Sequence, residues 1–187
     1  MASLLVTSES TFASIVSHYE TTGPPLAVRL SPQLSSEDLL RLGKASSVEV
    51  FRADLMEILL AHPRCPSELV DLALKISPSV NRIAMAAASS PGASMQALRQ
   101  LRIHPSPMVQ GHALLGITGI ELPTLNERQM FELCEQHQGD EGVALGIRHL
   151  IVRNASTPNS VLKRLADDDA DFIAEAASAR LSGPAEC

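Results

Sequence analysis

The chain is 187 residues long, 45% hydrophobic and only 3% aromatic, and its formal net charge is −6. Such a length supports a domain that buries about 70% of its unfolded surface, and the hydrophobic share excludes global disorder. The acidity opposes nucleic-acid binding, which needs a basic surface, and the lack of Trp with a single Tyr (Tyr19) opposes both base stacking and a β-sandwich core.

Residues 1–30 stand apart from the rest. Met1 to Val16 has no basic leader and is broken by Thr7, Ser8, Glu9 and Ser10, so it does not read as a signal peptide. Phe12, Ile15, Val16 and Tyr19 recur at helical spacing and predict a short helix over Ser8–Tyr19, stopped by Thr21-Thr22-Gly23-Pro24-Pro25. We read residues 1–30 as an N-terminal cap on a helical-repeat domain spanning 31–187. No apolar run reaches the roughly 18 residues that a membrane span needs.

Beyond the cap, one phrase recurs five times: a polar or small residue, a turn-prone residue, any residue, then Val or Phe opening an Ala-rich stretch. It reads Ala45-Ser46-Ser47-Val48, Ser77-Pro78-Ser79-Val80, Ser106-Pro107-Met108-Val109, Asp140-Glu141-Gly142-Val143 and Asp169-Ala170-Asp171-Phe172. The closing residues lie 32, 29, 34 and 29 positions apart. Self-similarity at this period marks a solenoid, in which each unit buries its apolar face on its neighbours.

Each unit reads as two helices. The first follows a capping or turn residue and carries an apolar pair: Ser35 or Ser36 before Leu39-Leu40, Cys65-Pro66-Ser67 before Leu69-Val70, and Ala93-Ser94 before Ala97-Leu98. Asn126 before Met130-Phe131 and Thr157-Pro158 before Val161-Leu162 complete the series. The second helix opens at the phrase and buries residues four and seven or eight further on: Ala84 and Ala88, Ala113 and Ile117, Ile147 and Leu150, Ala176 and Ala179. In the first unit Arg52 takes the four-on position, and Val48, Phe51 and Leu55 carry the stripe instead. In the fourth, the connection from Gln136 to Gly142 is polar.

Few residues suggest chemistry. Cys65, Cys134 and Cys187 are odd in number and widely spaced, which predicts reduced thiols in a cytoplasm. Cys134 and His137 form C-x-x-H, but a zinc site needs about four ligands. His62 and His104 each precede Pro and read as helix ends. Asp167-Asp168-Asp169 with Asp171 lacks the alternation of a calcium loop and reads as a turn whose acids favour the following helix N-terminus. Cys65 with a His is a nucleophile and base by residue type alone. We expect no catalytic residue, no metal and no cofactor.

Two stretches resemble the bacterial leucine-rich repeat variant family. They are Ser156-Thr157-Pro158-Asn159-Ser160-Val161-Leu162-Lys163-Arg164-Leu165-Ala166-Asp167-Asp168, and His62 to Val70 with Val80 to Ala86. The resemblance implies a right-handed superhelix and a scaffold that binds a partner. Units here are longer than that family's, which predicts two full α-helices in each, closer to HEAT-like stacking. The expected fold is therefore all-α: a right-handed α–α superhelix of about five helical hairpins behind the cap.

On the second helices, Glu49, Arg52, Asn81, Arg82, Gln110, His112, Arg148 and Glu175 escape the apolar stripe. If second helices line a concave face, Arg52, Asn81, Arg82, Gln110, His112 and Arg148 form its binding ladder; the alternative is a merely solvated face. The expected function is a non-catalytic protein–protein interaction scaffold of a bacterium, binding another protein or peptide. Adaptor, secretion-associated, chaperone-like and immunity-type roles are not ranked by the sequence. The alternatives are a HEAT-like nucleic-acid-binding or DNA-repair solenoid, which the charge opposes, and an unrecognised enzyme.

Overall fold

A computed structural model describes residues 3–23, 28–46, 52–77 and 80–183, and the side chain of Arg52 lies outside that description. The described residues form eleven α-helices and one pair of short strands. The fold is thus mostly helical, and none of these helices is long and apolar enough to cross a membrane. The chain divides into two compact units, Met1–Ala113 and Leu114–Cys187.

The first unit opens with strand β1 (Leu4–Val6), helix α1 (Phe12–Thr22) and strand β2 (Val28–Leu30). The strands pair in parallel, Leu4 opposite Val28 and Val6 opposite Leu30. The all-helical expectation did not include them: three residues are too few for an alternating pattern to register. A parallel pair needs a crossover between its strands, and α1 supplies it. The helix starts later than Ser8 because Thr11 caps it, accepting the Ser14 amide at 3.2 Å. Ile15 is fully buried, and α1 packs on α2 (Ser36–Ser46). The Arg41 guanidinium ties the two together by donating to the Ser8 carbonyl at 3.0 Å.

After α2 come α3 (Arg52–Leu60), α4 (Ser67–Ile76), α5 (Asn81–Ala88), α6 (Met95–Leu101) and α7 (Pro107–Glu121), the last containing the unit boundary. The expected starts hold. Ser35 and Asp38 cap α2 reciprocally, each side chain accepting the other's amide at 3.1 Å. Ser94 accepts the Ala97 amide, and Pro107 is the first residue of α7, where its missing N–H costs nothing. Leu39, Leu69, Val70, Ala97 and Leu98 are buried as the apolar pairs require, whereas Leu40 is only half-buried. Of the first unit's phrase and stripe, residues 47–51, including Val48 and Phe51, lie outside the described residues; Leu55 is buried.

Helices pack like with like in this unit: α2 lies against α4, and α3 against α5. The turns between helical pairs stack in the same order. His62 Nε2 reaches the Ser31 carbonyl at 3.1 Å while its Nδ1 accepts the Arg64 amide at 3.1 Å, a pairing that selects the Nε2–H tautomer. The Ser36 hydroxyl donates to the Arg64 carbonyl at 2.9 Å. In the next turn Gly92 sits so close to the Cys65 carbonyl that a Cβ would collide with backbone. His104 repeats the local device, its Nδ1 accepting the Ser106 amide at 3.1 Å. Both His-Pro sequences therefore terminate helices, as expected.

The second unit holds the end of α7, a 3₁₀ turn (Leu122–Thr124), α8 (Glu127–Gln136), α9 (Gly142–Arg153), α10 (Asn159–Ala166) and α11 (Asp171–Ser182). Asn126 begins α8 with a full capping box to Gln129. Here α8 packs on α10 and α9 on α11, around Met130, Ile147, Ile151, Val161, Leu165 and Ile173. Gly146 admits Leu115, whose methyl would stand 2.8 Å from an added Cβ.

The buried phase of the second helices differs from the expected one. Ala84, Ala88, Ala113 and Ile147 are buried, but Ile117 and Leu150 are only half-buried. Val109 is fully buried, whereas Val80 and Phe172 are 40% and 50% exposed. In α11 the stripe is Ile173 and Ala177; Ala176 is half-buried and Ala179 exposed. The larger Ile sets the phase, because burying its side chain removes more apolar surface than burying Ala. Phe131 is likewise exposed rather than buried with Met130: on α8 the core face is filled by Met130 and Cys134.

Candidate functional site

The proposed second-helix ladder is mostly engaged within the fold. Arg82, on α5, is 55% exposed, but its Nη1 lies 2.7 Å from Asp54 of α3 and its Nε binds Glu57. The two carboxylates, Asp54 first, hold the guanidinium above its ordinary pKa. Gln110 donates to the His104 carbonyl at 2.7 Å, closing the turn before α7. His112 Nδ1 meets the Ser89 hydroxyl at 2.9 Å, joining α7 to the end of α5. Asn81 is exposed, and the Arg52 side chain and Glu49 lie outside the described residues.

Arg148 is a correction. Its side chain is only 4% exposed, so it cannot belong to a solvent-facing ladder. The guanidinium pairs with Asp168, itself 6% exposed: Nη2 donates to Oδ1 at 3.2 Å, and Nε lies 2.8 Å from Oδ2 as a charge contact without hydrogen-bond geometry. Its Nη1 donates to the carbonyls of His137 at 2.5 Å and Gly139 at 2.9 Å. Gly139 holds φ at +101°, a region that suits Gly and lets the turn present that carbonyl. Asp168 in turn accepts the Ala170 amide at 3.0 Å, immediately before α11. Arg148 therefore ties the end of α8 to the α10–α11 turn, lining a polar cleft of about 120 Å³ with Arg164 and Asp167.

The cysteine readings resolve structurally. Cys65 and Cys134 are buried, free thiols; Cys187 lies outside the described residues. Burial raises the Cys65 thiol pKa and pushes that of Cys134 up to about 11. Both are thus poor nucleophiles and poor ligands at neutral pH. His137 ends α8, and burial, with the Arg148 guanidinium second, holds its imidazole below the ordinary value. Among the described residues no three His, Cys, Asp or Glu side chains are placed to hold a metal ion.

Open grooves lie instead on α2, between α4 and α6, and on α8. On α2 the groove runs past Glu37, Asp38, Leu40, Arg41 and Lys44. Between α4 and α6 it passes Asp71, Leu74, Lys75, Gln96 and Gln100. The third, about 660 Å³, lies on α8 beside Glu127, Arg128, Phe131, Glu132, Glu135 and Gln136. The sequence reading assigned Phe131 to the core and missed this stripe. The spacing alone did not give it away: Val161 and Leu165 form the same i, i+4 face, yet Leu162 is buried beside them.

No family model, curated protein or solved structure matches the chain.

Proposed function

We propose that this chain is a non-catalytic scaffold that binds another protein or peptide along stacked helical pairs. The observation that carries the reading is the like-with-like packing within each unit: first helix on first helix, second on second. Repeat scaffolds recognise partners over the face that such stacking leaves free. We extend it to the full right-handed superhelix of five hairpins, akin to the bacterial leucine-rich repeat variant and HEAT-like proteins. The engaged state of Arg82, Gln110, His112 and Arg148 moves the proposed contact surface to the first helices, where the open grooves lie. Buried, unpaired Cys65 and Cys134 suit a reducing compartment such as the bacterial cytoplasm.

The test is affinity capture in the native host followed by reconstitution from purified components. Direct binding of one recovered protein to the purified chain supports the scaffold. A fluorescence-anisotropy titration with duplex DNA at low salt runs beside it; tight, salt-dependent DNA binding would replace this reading with the nucleic-acid one.

A further inference from the structure

We propose that the α8 groove docks a basic amphipathic helix of the partner, with Phe131 as the apolar contact at its centre. This deepens the scaffold reading and rests on it. Phe131 is one of four Phe in the chain, yet it stands 37% exposed while Met130 and Cys134 fill the core face of the same helix. Aromatic residues, Phe among them, are enriched at protein interfaces relative to the rest of the surface. The groove of about 660 Å³ has room for several side chains of a partner.

Charge decides which partner. The α2 groove sets Glu37 and Asp38 against Arg41 and Lys44, and the α4–α6 groove sets Asp71 against Lys75, so both are balanced. The α8 groove sets Glu127, Glu132 and Glu135 against Arg128 alone. Arg128 is spent on Glu132 at 2.7 Å, and Arg164 of α10 reaches Glu135 at 3.1 Å. Glu127 accepts only the Ser160 hydroxyl. Glu127 and Glu135 stand one turn before and one turn after Phe131 on the same stripe. That pattern is complementary to a helix whose apolar residue is flanked by Lys or Arg one turn to either side. Glu132 and Glu135 keep 51% and 47% of their side chains exposed, so an incoming cation reaches them without breaking the core.

The probe is a fluorescent amphipathic helix of Leu and Lys with one central Phe, titrated against the full chain. The same peptide with Glu for Lys is the charge control. We expect the Lys peptide to bind and the Glu peptide not to. Phe131→Ala should weaken binding about tenfold, and the double variant Glu127→Gln/Glu132→Gln by a similar factor. Glu20→Gln/Glu175→Gln makes the same change in net charge at exposed sites elsewhere and should leave binding unchanged. Circular dichroism melts establish that each variant is folded. Equal loss in the Glu20/Glu175 pair would reduce the effect to general acidity and overturn the groove. So would normal binding by Phe131→Ala, or a concentration-dependent dimer that Phe131→Ala abolishes in sedimentation, since a second copy would then be the occupant. If the native partner binds wild type and Phe131→Ala alike, the groove fails and the scaffold stands. If no partner protein binds at all, the scaffold fails with it.

Discussion

Arg148 shows how far one side chain can depart from the role its letter suggests. It donates to the carbonyls of His137 and Gly139 and pairs with Asp168 while almost wholly buried. Arg148→Ala would leave the buried Asp168 carboxylate without its paired guanidinium, and removing one partner of a buried pair costs about 3–5 kcal/mol. Urea unfolding should show that loss. Arg82→Ala should cost less than about 1 kcal/mol in the same assay, because its pairs with Asp54 and Glu57 are solvated. The thiols give a second test. Burial that raises Cys65 and pushes Cys134 up to about 11 leaves little thiolate at pH 8, so both should resist alkylation in the folded chain. Peptide mass spectrometry should find them modified only after urea is added; rapid labelling of native Cys134 would contradict its buried placement.

Within single helices the decisive quantity is phase. Ala84 and Ala113 are fully buried, so Ala→Leu at either site overpacks a helix contact and should cost about 1–3 kcal/mol. In α11 the structure makes a sharper distinction. Ala177 is fully buried and Ala179 exposed, although the repeat phrase pointed to Ala179. Ala177→Leu should lower the thermal midpoint clearly, whereas Ala179→Leu should stay within about 0.5 kcal/mol of wild type. Equal effects at the two sites would mean that the phase set by Ile173 is wrong. Helix starts are more robust than helix phase, since a cap such as Ser94 or Asn126 needs only its own next three residues.

Each of the two compact units contains one like-with-like stack of helical pairs: α2 on α4 and α3 on α5 in the first, α8 on α10 and α9 on α11 in the second. The only strands among the described residues are the short β1 and β2. Far-UV circular dichroism of the full chain should therefore be dominated by helix, and a substantial strand signal would rule the architecture out. The net charge of −6 belongs to the same level of description. It opposes phosphate binding in general, whereas the basic partner proposed above rests on the local excess of Glu on α8.

Composition and periodicity were enough to specify the helical class, the pairing of helices and most of their starts. Those features depend on short-range rules: an Asn or Ser that caps its own helix, and a Pro that cannot continue one. The strands β1 and β2 were illegible because three residues carry no period and pair only after α1 brings them together. The stripe in α11 was illegible because the phrase marks where the helix begins, while its rotation follows whichever neighbour Ile173 can pack against. The same holds for the candidate site. A charged or aromatic letter on a helix does not say whether a counterpart awaits it across the fold. Arg148 found Asp168 twenty residues away and was buried, whereas Phe131 found its inward neighbours already supplied by Met130 and was left facing solvent.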